Sequence, residues 1–146
     1  MTKREWTLLV IAAARGEKVS PVQLQKALFL LSDKLSNKQR QTRSFYKFEP
    51  YDYGPFCSEV YADAEALAAS GLVNIVCENF SFRQYSLTPK GEAEVRKLRK
   101  ELDGPVRTYL DVVVDWVRSL PFAGLVQKIY EMYPAMKVNS VFREPK

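Results

Sequence analysis

The chain has 146 residues, 47% of them hydrophobic and 12% aromatic, a composition that fits one folded domain with its own core rather than a disordered tail. Its net charge of +5 invites an anionic partner, while the absence of histidine removes the commonest general base and metal ligand. The longest apolar run, Trp6 to Ala14, is too short to span a bilayer and is followed by Arg15-Gly16-Glu17 rather than a small-residue cleavage site, so a cytoplasmic protein with no membrane partner is expected.

In chain order, Trp6, Leu8, Leu9, Ile11 and Ala12 to Ala14 predict a short apolar helix that Gly16 ends. Ser20-Pro21-Val22-Gln23 predicts a helix start, with serine as N-cap, proline at the first helical position and glutamine closing a capping box. Behind it Val22, Leu24, Ala27, Leu28, Leu31 and Leu35 form a stripe to be buried. The polar, basic stretch from Asn37 to Ser44 reads as an exposed loop, and Phe45, Tyr46, Phe48 and Tyr51 as a short aromatic strand ended by Pro50 and Pro55. Phe56, Val60, Tyr61, Ala64, Leu67 and Ala68 share one face of a third helix, with Gly71 as its cap. Leu72 to Cys77 and Phe80 to Leu87 predict a hairpin linked at Glu78-Asn79. Thr88-Pro89 then starts a charged helix to about Leu102. Two more helices follow, Pro105 to Leu120 and Pro121 to Tyr133, and Lys137 to Lys146 reads as a loose end on which Val141 and Phe142 offer docking groups.

The order helix, helix, short strand, helix, hairpin, helix predicts a mostly α, α+β fold: a winged-helix-like core over 4–102 with a helical layer and tail over 103–146, all in one domain of residues 1–146. Tyr85-Ser86-Leu87-Thr88-Pro89-Lys90-Gly91 strengthens this reading, because it resembles the "LTPKG"-like junction between wing and helix in many winged-helix proteins.

Leu24-Gln25-Lys26-Ala27-Leu28-Phe29, then Phe48-Glu49-Pro50-Tyr51-Asp52-Tyr53-Gly54-Pro55-Phe56, then Glu59-Val60-Tyr61 and Leu67, resemble the Panacea-type domains and their bacterial and phage relatives. The likeness spans Val19 to Leu87. It departs in Ala27, where leucine is usual, and in PYDYGPF, where the family pattern has a simpler aromatic-and-GP turn. The resemblance implies a non-catalytic, antitoxin-like module that binds a partner protein, a toxin among the candidates.

The residues themselves point to two surfaces. From Phe48 through Phe82 there is no Lys or Arg, whereas Glu49, Asp52, Glu59, Asp63, Glu65 and Glu78 fall there. In the PYDYGPF corner, Tyr51, Tyr53 and Phe56 either fill a gap between helices or project with Asp52 as an aromatic, acidic contact patch. Tyr51, Asp52, Tyr53, Glu59 and Asp63 are therefore the candidate partner-binding residues, suited to a basic surface. The alternative is a DNA-binding regulator that uses Lys38, Arg40, Arg43 and Lys47 of the basic loop and Arg83 of the wing, dimerising through the C-terminal helices. An acidic third helix opposes the usual groove-reading mode.

Catalysis is not expected. The two cysteines, Cys57 and Cys77, stand 20 residues apart without a CxxC pattern, so neither zinc nor a disulfide is predicted. Cys57 lies near a helix start, where a thiolate is stabilised, yet no base accompanies it. The six glycines are scattered singly, with no nucleotide-binding pattern. No metal or cofactor is expected.

Overall fold

The computed structural model describes residues 1–78 and 82–142. Helix α1 (Lys3–Ala12) begins at a reciprocal capping box, in which the Thr2 hydroxyl accepts from the Glu5 amide and the Glu5 carboxylate from the Thr2 amide. It ends before Ala14 because the chain reverses through left-handed Arg15 (φ 55°) and Gly16 (φ 88°). Helix α2 (Pro21–Lys34) has the expected start: Ser20 and Gln23 cap each other's backbone, and Pro21 occupies the first turn, where its missing N–H costs nothing.

The stretch expected to be an exposed loop instead contains a one-turn helix, α3 (Asn37–Arg40), with a capping box between Ser36 and Gln39 and a left-handed Gln41 closing it. The aromatic strand is also redistributed. Phe45 and Tyr46 lie outside any strand; β1 (Glu49–Tyr51) and β2 (Gly54–Phe56) pair antiparallel, so PYDYGPF is a small hairpin of its own. Helix α4 (Ser58–Ala69) consequently starts at Ser58 rather than Phe56.

The wing is β3 (Val73–Glu78) paired antiparallel with β4 (Phe82–Leu87). Glu78 pairs with Phe82 and so belongs to the strand rather than to the link; Asn79, the other half of the expected Glu78-Asn79 link, falls outside the described residues. Thr88 caps α5 (Pro89–Glu101) through its hydroxyl, which accepts from the Gly91 amide and donates to the Gly71 carbonyl, tying the α4 end to the α5 start. Helices α6 (Gly104–Ser119) and α7 (Phe122–Met132) and a 3-10 turn (Pro134–Lys137) complete the chain.

The architecture is mostly α with two small antiparallel sheets, and its front half is winged-helix-like: α1, α2 and α4 form the helical trio and β3–β4 the wing. Val19, between α1 and α2, adds a third short rung by exchanging both backbone hydrogen bonds with Tyr85, each 2.8 Å. A continuous apolar core joins Trp6, Leu9 and Ile11 of α1, Leu24, Leu28 and Leu31 of α2, Val60 and Leu67 of α4, Leu110 and Val114 of α6 and Ile129 of α7. Helix α2 is central, with α1 on one side and α6 on another, and the β1–β2 hairpin lies across it. No helix of the described residues is long and apolar enough to cross a membrane.

Candidate functional site

The PYDYGPF hairpin follows from its unusual residues. Pro50 and Pro55 face each other across the two strands, so neither donates to the ladder, and Asp52-Tyr53 form a two-residue turn between Tyr51 and Gly54. Gly54 has φ 105°, a value that disfavours every residue with a side chain. It also lets the strand settle low: a Cβ there would stand 3.4 Å from the Tyr130 ring and 3.5 Å from the Lys26 stem.

So little backbone pairing would not hold such a ribbon by itself. Three sets of hydrogen bonds from outside the ribbon hold it. The Gln25 amide of α2 donates to the Cys57 carbonyl at 2.9 Å and accepts from the Cys57 amide at 3.0 Å, imitating a strand neighbour. Lys26 donates to the Pro55 carbonyl at 3.2 Å. From the far side, Asn139 Nδ2 donates to the Pro50 carbonyl, and Ser140 Oγ and the Val141 amide both donate to the Asp52 carbonyl. The expected loose end is thus docked through Val141 as far as the described residues run.

The rings do both things that the sequence left open. Tyr51 stacks on Phe56 with centroids 4.6 Å apart, and Tyr53 meets Phe122 edge-on at 5.1 Å, yet they remain 52% and 41% exposed. Below them, between the hairpin, α2 and α4, is a cavity of about 190 Å³ that Lys26, Tyr51, Asp52, Tyr53, Phe56 and Tyr61 help to line.

Lys26 is 3% exposed, and burial pulls its ammonium down from 10.5 to about 7. The linkage sign follows. The unfolded chain binds a proton at Lys26 that the folded chain releases between about pH 7 and pH 10, so the burden of this residue is greatest below 7 and is relieved as pH rises. Lys26→Met should therefore be more stable than the parent at pH 6, with the advantage shrinking steadily from pH 7 to pH 9 in urea unfolding. A pH-independent difference would refute this account.

The acidic third helix is less bare than its sequence. Glu59 pairs with Lys3, Asp63 with Arg4 at 3.3 Å, and Glu65 with Arg83 at 3.1 Å. Asp63 also accepts from the buried Tyr46 hydroxyl, which is shared with Thr7 at 2.7 Å. Burial, reinforced by Asp63, holds the Tyr46 phenol well above its usual range. Within the run without Lys or Arg, the carboxylates of this helix are neutralised by the first turn of α1 and by the wing, partners that lie far away in sequence.

Of the basic candidates, Lys38, Arg43 and Lys47 are exposed, and Arg83 is exposed and paired with Glu65. Arg40 requires correction. It is 6% exposed, and its guanidinium turns inward to donate to the carbonyls of Leu31, Ser32 and Leu35 and to Asn37 Oδ1. These carbonyls end α2, where a helix lacks internal donors and its dipole favours a cation. Arg40 is a cap built from a distance, not a surface residue of an exposed loop.

Cys57 is buried and Cys77 exposed, both as free thiols. Among the described residues no cluster of three or more acidic or cysteine side chains is arranged to hold a metal ion.

No protein-family model, curated protein or solved structure matches the chain. Sequence reasoning passed over Gln25, Lys26, Asn139 and Ser140. Lys26 lies four residues after Val22 and so on the same side of α2, but nothing in the sequence marks that side as the one beneath the hairpin.

Proposed function

We propose that the chain is a non-catalytic, winged-helix-like interaction module that receives a partner protein on the β1–β2 hairpin, through Tyr51, Asp52 and Tyr53. The observation that carries this reading is the pair of half-exposed tyrosines on a hairpin pinned from both sides. Rings already fixed in place lose little freedom when a partner covers them, and tyrosine is enriched at the few positions that dominate binding. Glu59 and Asp63 lie on the adjoining helix and supply a rim whose charge Lys3 and Arg4 already balance, so the hairpin carries more of the binding than the acidic helix. The likeness to Panacea-type domains agrees with an antitoxin-like role.

The DNA-binding alternative has less in its favour. The helix that would enter the groove, α4, carries Glu59, Asp63 and Glu65, and Arg40 is spent inside. Lys38, Arg43, Lys47 and Arg83 remain as its phosphate contacts.

The test is capture of the partner from lysate of the native host after nuclease treatment, with the Tyr51→Ser/Tyr53→Ser double variant alongside. We expect one protein at near-equal amounts, with affinity for the double variant reduced roughly 30-fold, the loss of about 2 kcal/mol typical of a hot spot. Thermal melting of both proteins separates this from a folding defect. Nuclease-sensitive recovery of nucleic acid, unaltered in the double variant, would instead establish the second reading.

A further inference from the structure

Lys26 is a cation placed where burial penalises it, and among the described residues it makes only one hydrogen bond, to the Pro55 carbonyl. An ammonium carries three donors, so two have no protein acceptor. The groups that face it are Asp52, Tyr51 and Tyr53 of the hairpin and Tyr61 of α4, with Tyr130 of α7 closing over Gly54. Asp52 lines the same cavity but forms no ion pair with Lys26 and exerts no resolved pull on it. The cavity, at about 190 Å³, is about six times the share of one water in the liquid. That is room for a small polar head with several carbons behind it.

We propose that this cavity is a carboxylate-binding pocket, in which Lys26 donates to a single carboxylate while the walls of Tyr51, Tyr53, Phe56 and Tyr61 enclose the carbons that carry it. The carboxylate belongs either to a small free acid or to an acidic side chain of the partner. Only the second source rests on the interaction reading above. Asp52, half-buried, opposes a second negative charge, which restricts the pocket to monoanions and favours those with an N–H donor beside the carboxylate. The charge of an arriving anion offsets the burial that loosens the Lys26 proton, so binding takes up a proton at neutral pH.

The experiment follows the Lys26 side-chain signals of the isotopically labelled full chain by NMR during titration with isovalerate, with N-acetylglutamate amide, and with neutral N-acetylglutamine amide. We expect saturable binding of at least one acid and none of the neutral amide. Affinity should weaken about tenfold between pH 6 and pH 8 as the competent, protonated fraction of Lys26 falls. Lys26→Met should abolish binding while remaining folded. Binding of isovalerate alone identifies a free acid as ligand; binding of the blocked glutamate identifies a side chain of the partner. Equal binding of the neutral amide, retention of binding in Lys26→Met, or no response at about 50 mM, weaker than any useful affinity, overturns the pocket. Partner capture by Lys26→Met keeps the two ideas apart: undiminished capture, with loss confined to the tyrosine variant, leaves the interaction module standing on the rings alone whatever the probes show, whereas capture lost in Lys26→Met together with binding of the blocked glutamate places a partner carboxylate in the pocket.

Discussion

Alanine at Gly91 is expected to destabilise the protein by about 3 kcal/mol or more, at the upper end of what overpacking costs, because the obstacle is backbone rather than a movable side chain. A Cβ at this position would stand 2.1 Å from the Leu72 carbonyl oxygen and 2.8 Å from Leu87 Cδ1. Retreat is blocked on both sides. The Leu72 oxygen accepts from the Thr88 amide, and the Gly91 amide donates to the Thr88 hydroxyl, so wing and α5 meet there through fixed hydrogen bonds. Gly104 is the control, since a Cβ there meets only the Arg107 guanidinium at 3.8 Å; Gly104→Ala should be neutral or stabilise by up to about 1 kcal/mol. Urea unfolding of both variants decides the matter, and equal midpoints would disprove the close approach. The glycine of the Leu87-Thr88-Pro89-Lys90-Gly91 phrase thus has a steric reason.

Arg40→Met is expected to cost about 3 kcal/mol, whereas Arg43→Met and Lys47→Met should remain within about 0.5 kcal/mol of the parent. The methionine retains much of the buried stem but leaves the end of α2 without its distant cap, orphaning the carbonyls of Ser32 and Leu35, while that of Leu31 keeps the Leu35 amide. The backbone carbonyl of residue 40, which accepts the indole N–H of the fully buried Trp6 at 2.8 Å, is unchanged by the substitution, so the loss is that of the guanidinium's own bonds. Chemical unfolding of the three single variants provides the comparison. If Arg40→Met lost affinity for duplex DNA with its stability intact, the inward placement of the guanidinium would be wrong and the basic segment would regain its claim as a phosphate-binding surface.

The parts legible in the sequence were those set by neighbours in the chain. Ser20 to Gln23 and Thr88-Pro89 mark helix starts because capping is a local exchange of hydrogen bonds, and the apolar stripes of α2, α6 and α7 follow from helical geometry. The same local signal is present at Ser36 to Gln39, in the same serine-to-glutamine spacing as at Ser20, but the high polarity and three basic residues of Asn37 to Ser44 mask it as a loop. PYDYGPF was misjudged for another reason: two prolines argue against a strand, and only their placement opposite each other, where no ladder hydrogen bond is needed from either, permits the hairpin. The site depended most on contacts made at a distance. Nothing near Glu59 or Asp63 announces Lys3 and Arg4, and no periodicity reveals that Lys26 is buried under a hairpin that begins more than 20 residues later.

The strap from Asn139 to Val141 has a consequence for the order in which the molecule is completed. Asn139 reaches back 89 residues to Pro50, and a ribosome adding about 5–20 residues per second needs roughly 4 to 18 s to cover that interval. During those seconds α4 and the wing are synthesised after α1 and α2, while the tyrosine-bearing ribbon still lacks its bonds from Asn139, Ser140 and Val141 and relies on those from Gln25 and Lys26. The newborn chain can therefore finish its winged half before its recognition surface is secured, and that surface becomes rigid only when the last part of the described chain emerges.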